Sequence, residues 1–218
     1  MLFNYLFANF YEEADFLRLA GVDAGSLQDM IDNRIMPQAS YVLEGHSRVV
    51  SFVSDHNDAG TYRFHLKGHL EWLTTLRRLG LDSEALTRSY FKQAFETAAG
   101  SFFSGALGRE FRRLMPDLPK AFDDALFEAT WGHFLNGVYG VCTRDGQPAS
   151  IFLKQAGVMF IEQVVAQGAA EDLSAGELDL LRRAVRFLDD VESDFAPHEV
   201  AQSSRQRCVI DVQKRFLG

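Results

Sequence analysis

The chain has 218 residues, 47% hydrophobic and 24% charged, with a formal net charge of −8. That length and composition support a core built without disulfides or metal, and they argue against intrinsic disorder. The acidic balance argues against a nucleic-acid surface, and two distant cysteines, Cys142 and Cys208, make neither a disulfide framework nor a zinc ribbon.

The opening "MLFNYLFANFYEEAD" is apolar, but acid follows at once, without a basic leader or a small-residue cleavage site. No signal peptide is expected, no apolar run is read as reaching the ~20 residues that span a bilayer, and the expected location is cytoplasmic. Residues up to Pro37 read as short helices. The first carries Phe16, Leu17 and Leu19 inward and turns at Gly21; the second opens near Ser26 with Leu27, Met30 and Ile31 as its stripe. Helix, glycine turn, helix is the pattern of a helix-turn-helix unit. Short strands follow at Tyr41–Leu43, Arg48–Val53 and Thr61–His65, with turn signals at Glu44-Gly45 and Asp58-Ala59-Gly60.

Beyond Lys67 the pattern is helical. Trp72, Leu73, Leu76 and Leu79 form a stripe that stops at Gly80, and Asp82-Ser83 start a helix running to Gly100. Pro119 suits the first turn of a long apolar helix, and Pro148 the first turn of the next. Ser174 with Glu177 has capping-box spacing, ahead of Leu178, Leu181, Val185 and Leu188; Ser203 with Gln206 repeats the signature for a last helix. The expected fold class is therefore mainly α. A helix-turn-helix-like unit and a short β hairpin or meander occupy residues 1–66, and a helical domain occupies residues 67–218. Nineteen Phe against two Trp and six Tyr point to a bulky aromatic core, or to an aromatic-lined pocket.

Candidate chemistry concentrates in "WGHFLNGVYGVCTRDGQPASIFLK", Trp131 to Lys154. Gly137 and Gly140 allow a buried helix to end, "TRDGQP" reads as a turn, and large aromatics beside glycines leave shaped gaps. Tyr139, Cys142 and His133 are the candidate catalytic groups. Cys142 reads first as a buried structural thiol; as a nucleophile it needs a base within reach, and His133, nine residues earlier, would face another way on one helix. His133 itself shares a stripe with Phe122, Leu126 and Ala129. Trp131, Arg144, Lys154, Asp189 and Arg205 are candidate ligand contacts; Asp189 belongs to the acidic cluster Asp189, Asp190, Glu192 and Asp194, and Lys154 and Arg205 are its candidate cationic partners. Asp124 and Glu128, four apart, read as a wet helix edge.

No cofactor is implied. "GSFFSGAL" has P-loop glycine spacing, but Ala106-Leu107 replace the Lys-Ser/Thr pair, and no dinucleotide or nucleophile-elbow motif occurs. His46, His56, His65 and His69 fall close together, but His65 and His69 are not expected on one helix, and no metal site is expected.

The run "WGHFLNGVYGVCTRDGQP", Lys154 in the following helix, "FLDDVESDFAPHE", "SSRQR" and the opening "LAGVDAGSLQDMIDNRIMPQASYVL" together resemble a family of bacterial natural-product biosynthesis proteins of unknown function. The resemblance implies a protein of bacterial secondary metabolism and carries over no catalytic residue; Val200 stands where arginine often follows "FAPHE". The opening also resembles, more faintly, the helix-turn-helix of regulators. Residues 1–36 hold six acidic side chains and two basic ones, however, and "SLQDMIDN" would meet phosphates with repulsion. The expected function is a protein of bacterial secondary metabolism that binds a small organic molecule, either as a cofactor-independent enzyme or as an accessory protein. The alternative is an interaction module docking on a pathway protein. A closed helical pocket favours the first, and a solid core with an exposed apolar patch favours the second. Neither nucleic acid nor membrane is an expected partner.

Overall fold

In the computed structural model, which describes residues 1–217, the N-terminus carries an element absent from the sequence reading. Helix α1 (Leu2–Asn9) runs into a three-residue strand, β1 (Phe10–Glu12). The Glu12 carboxylate then accepts the Ala14 N–H at 2.9 Å and opens α2 (Glu13–Ala20), which stops at left-handed Gly21. Asp23 accepts the Ser26 N–H at 2.8 Å and opens α3 (Ala24–Asp32), two residues before the expected start. Phe16 and Ala20, four apart, are the buried line of α2, so Leu19, expected inward, is exposed.

The β element is one long hairpin, β2 (Tyr41–Val50) with β3 (Asp55–Leu66), paired antiparallel from Tyr41↔Phe64 to Val50↔Asp55. The expected turn signals lie inside the strands, where Gly45 and Gly60 face each other across the ladder. The chain reverses instead at Ser51–Ser54. There the Ser51 hydroxyl accepts the N–H groups of Val53 and Ser54, each at 3.2 Å, and so replaces a glycine-based turn. Strand β1 adds only to the root of β3, Phe10↔Leu66 to Glu12↔Phe64, giving the antiparallel order β1-β3-β2.

The rest is helical: α4 (His69–Leu79), α5 (Glu84–Ser104), α6 (Ala106–Leu114), α7 (Asp124–Leu135), α8 (Val138–Cys142), α9 (Pro148–Ala166), α10 (Ala175–Val191), and two π-helical turns, Gln206–Ile210 and Gln213–Leu217. Pro119 does not open the long helix. It sits in a 3₁₀ turn, Leu118–Ala121, and α7 starts only where the Asp123 carboxylate accepts the Leu126 N–H at 2.8 Å. Pro148 does open α9, and the Ser174–Glu177 capping box is formed. Leu79, the last residue of the expected α4 stripe, is exposed, while Trp72, Leu73 and Leu76 are buried.

Helix α9 corrects the expectation that no apolar run is long enough for a bilayer: it has 19 residues, and an 18-residue window within it has mean hydropathy 1.3, long and apolar enough to cross one. Here it packs against α5 on one side and α10 on the other. Phe160 of α9 stacks on Phe111 of α6, ring centres 3.7 Å apart. The excess of phenylalanine goes into this core. Phe91 lies 4.8 Å from Phe134 and 5.3 Å from Trp131, and Phe134 lies 4.9 Å from Trp72, as tilted and edge-on pairs that aromatic quadrupoles favour. Phe16, Leu27, Ile35 and Met36 join it from the N-terminal helices, and the Trp72 indole donates to the Ile35 carbonyl at 2.9 Å. Leu6, Phe10, Phe64 and Leu66 form a second, smaller core beneath α1.

Candidate functional site

The Trp131–Lys154 stretch folds as a tight corner. Gly137 takes φ 74° between α7 and α8, against the Gln38 and Ala39 carbonyls. Gly140 meets a different demand: a Cβ there would lie 1.9 Å from the Ser40 hydroxyl, so any larger residue forces Ser40 to move where α8 rests on that strand entry. Thr143 then bridges to Glu192, with the Arg144 N–H donating to the Val191 carbonyl at 3.1 Å. The corner thereby ties the end of α10 to the start of α9.

The candidate residues separate into three sets. Trp131 and Tyr139 point inward. The Trp131 indole donates to Glu84 Oε1 at 3.2 Å, and the Tyr139 hydroxyl accepts from the Gln155 amide at 2.7 Å; burial raises the Tyr139 pKa. His133 projects to solvent, because α7 buries Phe127, Thr130, Trp131 and Phe134 and leaves Ala129 and His133 outside, with Leu126 half-buried.

The third set is ionic. Glu192 is fully buried; Lys154 Nζ lies 3.8 Å from its Oε1, and the Ser204 hydroxyl donates to the same oxygen. Burial raises the Glu192 pKa, opposed by Ser204 and Lys154. The Cys142 thiol is also pushed up by burial, opposed by Lys154, and Cys208 is pushed up to about 12, burial first and Glu162 next. Raised thiols are poor nucleophiles. Of the two cations matched to Asp189 from sequence, Arg205 meets it at 2.7 Å, while Lys154 turns to Glu192. Arg144 lies 3.6 Å from Asp194. Such a knot orders four segments, and removing either partner of the buried pair strands a charge. Sequence reasoning missed Ser204 and Gln155, whose roles appear only once α9 and the C-terminal turns come together.

Among the described residues, the linings of the five main concavities do not include Trp131, Tyr139, Cys142 or Lys154. A crevice of about 60 Å³ reaches the corner's outer side at Gly140, Thr143 and Arg144, with room for little more than water. Among the described residues no cluster of three or more His, Cys, Asp or Glu side chains could hold a metal. His65 and His69 are both buried, but His65 ends β3, where its Nε2 lies 3.2 Å from Glu13, and His69 starts α4. Asp124 and Glu128 engage Lys92 and Arg88 of α5 across the α5–α7 surface.

A marked apolar exposure lies elsewhere. From Glu44 to Ala59 the hairpin is exposed on both faces and stands clear of the body as a two-stranded arm. Its tip is apolar: Phe52 is 105% exposed, Val53 87% and Val50 67%. At its root a groove of about 550 Å³ runs between the ribbon and α1, lined chiefly by Phe3, Phe7, Leu43, Tyr62 and Phe64, with Glu12 and Asp15 at its rim. Phe3 and Phe7 are each 57% exposed. The arm was legible only as a strand over Arg48–Val53; the signal in "RVVSFVSD" is an apolar run closed by a charge at each end, Arg48 and Asp55, which pair across the hairpin.

Residues 87–217 match a family described as Family of unknown function (DUF6058). No curated protein and no solved structure matches the chain. The matched residues cover α5 from Thr87 onward and the described elements after it, including the corner and the ionic knot, whereas the arm and its groove precede them.

Proposed function

The chain belongs to the family of unknown function DUF6058, and we propose that it is a non-catalytic docking protein whose aromatic helical body carries a β-hairpin arm that binds another protein surface. One observation carries this reading: a ribbon exposed on both faces, ending in Val49, Val50, Phe52 and Val53 and rooted beside an apolar groove. An isolated two-stranded ribbon is marginal in water, and an apolar patch of this kind marks an interaction site. The solid aromatic core and the internal contacts of the corner support the same choice over an enclosed reaction site. In this reading α2 packs the root of β3 and α3 packs on the helical core, rather than reading DNA. The resemblance to bacterial natural-product proteins supports a biosynthetic pathway as the setting.

The test is complementation of a gene deletion in the source organism. A chain whose arm is shortened by replacing residues 48–57 with a two-residue turn, which leaves the groove-lining His46 and Ser47 in place, should keep its fold by circular dichroism and fail to complement. Full complementation by the shortened chain would refute the docking reading. A second reading rests on the groove, whose 550 Å³ lies in the range of small-molecule sites. It requires that Phe7→Ala abolish function while the shortened arm does not.

A further inference from the structure

We propose that the groove between α1 and the root of the hairpin binds an apolar organic cation, a small molecule with an aromatic or aliphatic body and a protonated amine. The site goes beyond the docking reading, since an arm can dock with or without a ligand at its root.

The ladder fixes which side chains share the groove. Residues directly opposite in an antiparallel pair lie on one face. Glu12, Phe64 and Tyr41 stand level across the three strands, and two residues further along Tyr62 stands opposite Leu43. One face therefore carries Glu12, Phe64, Tyr62 and Leu43. Helix α1 covers the root of that face, where Leu6, Phe10, Phe64 and Leu66 close the small core. Phe3 and Phe7, four apart on α1, form the facing wall, and Phe7 meets Phe64 edge-on with ring centres 5.6 Å apart. Phe64 is buried as the floor, whereas Phe3, Phe7 and Tyr62 are exposed. Toward the tip the Gly45–Gly60 pair carries no side chains, and a Cβ at Gly45 would meet nothing within 4 Å, so the groove stays open along the ribbon. Its volume of about 550 Å³ suits a drug-sized molecule.

Charge sets the sign of the ligand. Glu12 is half-buried, and its carboxylate accepts the Ala14 N–H. The adjacent Glu13 takes the nearby basic groups, His65 at 3.2 Å and Arg63 at 4.0 Å, which leaves Glu12 without a cationic partner among the described residues. A half-buried carboxylate lacking a counter-charge is costly, and a bound cation relieves that cost. Asp15 adds a second carboxylate at the rim; Arg18 meets it at 2.9 Å in an exposed pair that solvent screens. His46, the basic side chain in the lining, lies five residues along β2 from the level of Glu12, about 16 Å at the usual strand rise. Aromatic rings beside a carboxylate suit an organic ammonium twice over. They hold its apolar body and attract its charge. The same carboxylates repel fatty acids and phosphates.

Isothermal titration calorimetry on the purified full chain at neutral pH tests this with three probes of one shape: phenylbutylammonium, phenylbutanol and phenylbutanoate. The ammonium should bind about tenfold more tightly than the alcohol, as one hydrogen bond to a charged group provides, and the carboxylate should bind most weakly. Glu12→Gln keeps an oxygen for the Ala14 N–H and should bring the ammonium down to the level of the alcohol. Phe7→Ala should weaken ammonium and alcohol alike, and Phe52→Ala at the tip should change neither, with circular dichroism unchanged in all three variants. A wild type that binds no ammonium overturns the proposal, as does one that binds the alcohol or the carboxylate equally well, a comparison that needs no variant. Ammonium binding indifferent to Phe7→Ala overturns it too. Ammonium binding together with full complementation by the shortened arm removes the docking reading and leaves the site. No binding, with a shortened arm that fails to complement, removes the site and leaves the docking reading.

Discussion

Lowering the pH should loosen this protein through His69. The imidazole begins α4 with 1% of its surface exposed, and burial, reinforced by neighbouring His65, depresses its pKa from 6.5 to about 3. Below pH 6.5 the unfolded chain takes up a proton at this residue that the folded chain refuses. Stability therefore falls by about 1.4 kcal/mol per pH unit, or about 2.7 kcal/mol by pH 4.5, until the folded pKa is reached. His65 is depressed as well, mainly by burial, and adds a contribution of the same sign. Glu192 runs the other way: its raised pKa favours the folded state as its carboxyl protonates. Urea unfolding of the wild type and of His69→Gln, at steps between about pH 7.5 and 4.5, isolates the His69 part. The two plots of unfolding free energy against pH should differ in slope by about 1.4 kcal/mol per unit below pH 6.5 and run parallel above it. Equal slopes throughout, or an NMR titration placing His69 near 6.5 in the folded protein, would refute the reasoning.

Three further outcomes follow from the packing. Trp131→Ala should cost about 3–5 kcal/mol in urea unfolding, as the truncation of a buried aromatic among Phe91 and Phe134. Lys154→Met should cost about 3–5 kcal/mol by stranding Glu192, and the double variant Lys154→Met/Glu192→Leu should recover most of that; a double variant no better than the single would contradict a paired charge. Gly140→Ala should lower stability by about 1–3 kcal/mol, because its Cβ meets Ser40, and Ser40→Gly should restore part of the loss.

Signals confined to neighbouring residues were legible in the sequence. The stop at Gly80, the proline start of α9 and the Ser174–Glu177 box each depend on one turn of backbone, so spacing reveals them. Signals that depend on partners distant in the chain were not. Gly45 and Gly60 look like turn residues, yet they pair mid-ladder, while a serine hydroxyl turns the chain at Ser51. Strand β1 is three residues long and exists because Phe64–Leu66 offers it an edge. At the corner, the Arg205–Asp189 pair was within reach of charge and stripe reasoning. The choice of Glu192 by Lys154 was not, since it depends on where α10 ends against α9. Nor does sequence alone separate a hairpin lying on a body from one standing clear of it; alternation is the same in both, and only the absence of a packed neighbour over residues 44–59 makes the arm.

The central claim, that the arm is the working surface, is tested most directly by photo-cross-linking in the living cell. A photoreactive amino acid in place of Phe52 at the tip should give a discrete covalent adduct on irradiation, whereas the same residue in place of Leu79, exposed on α4 away from the arm, should give none. No adduct at position 52, or equal adducts at both positions, would contradict the account.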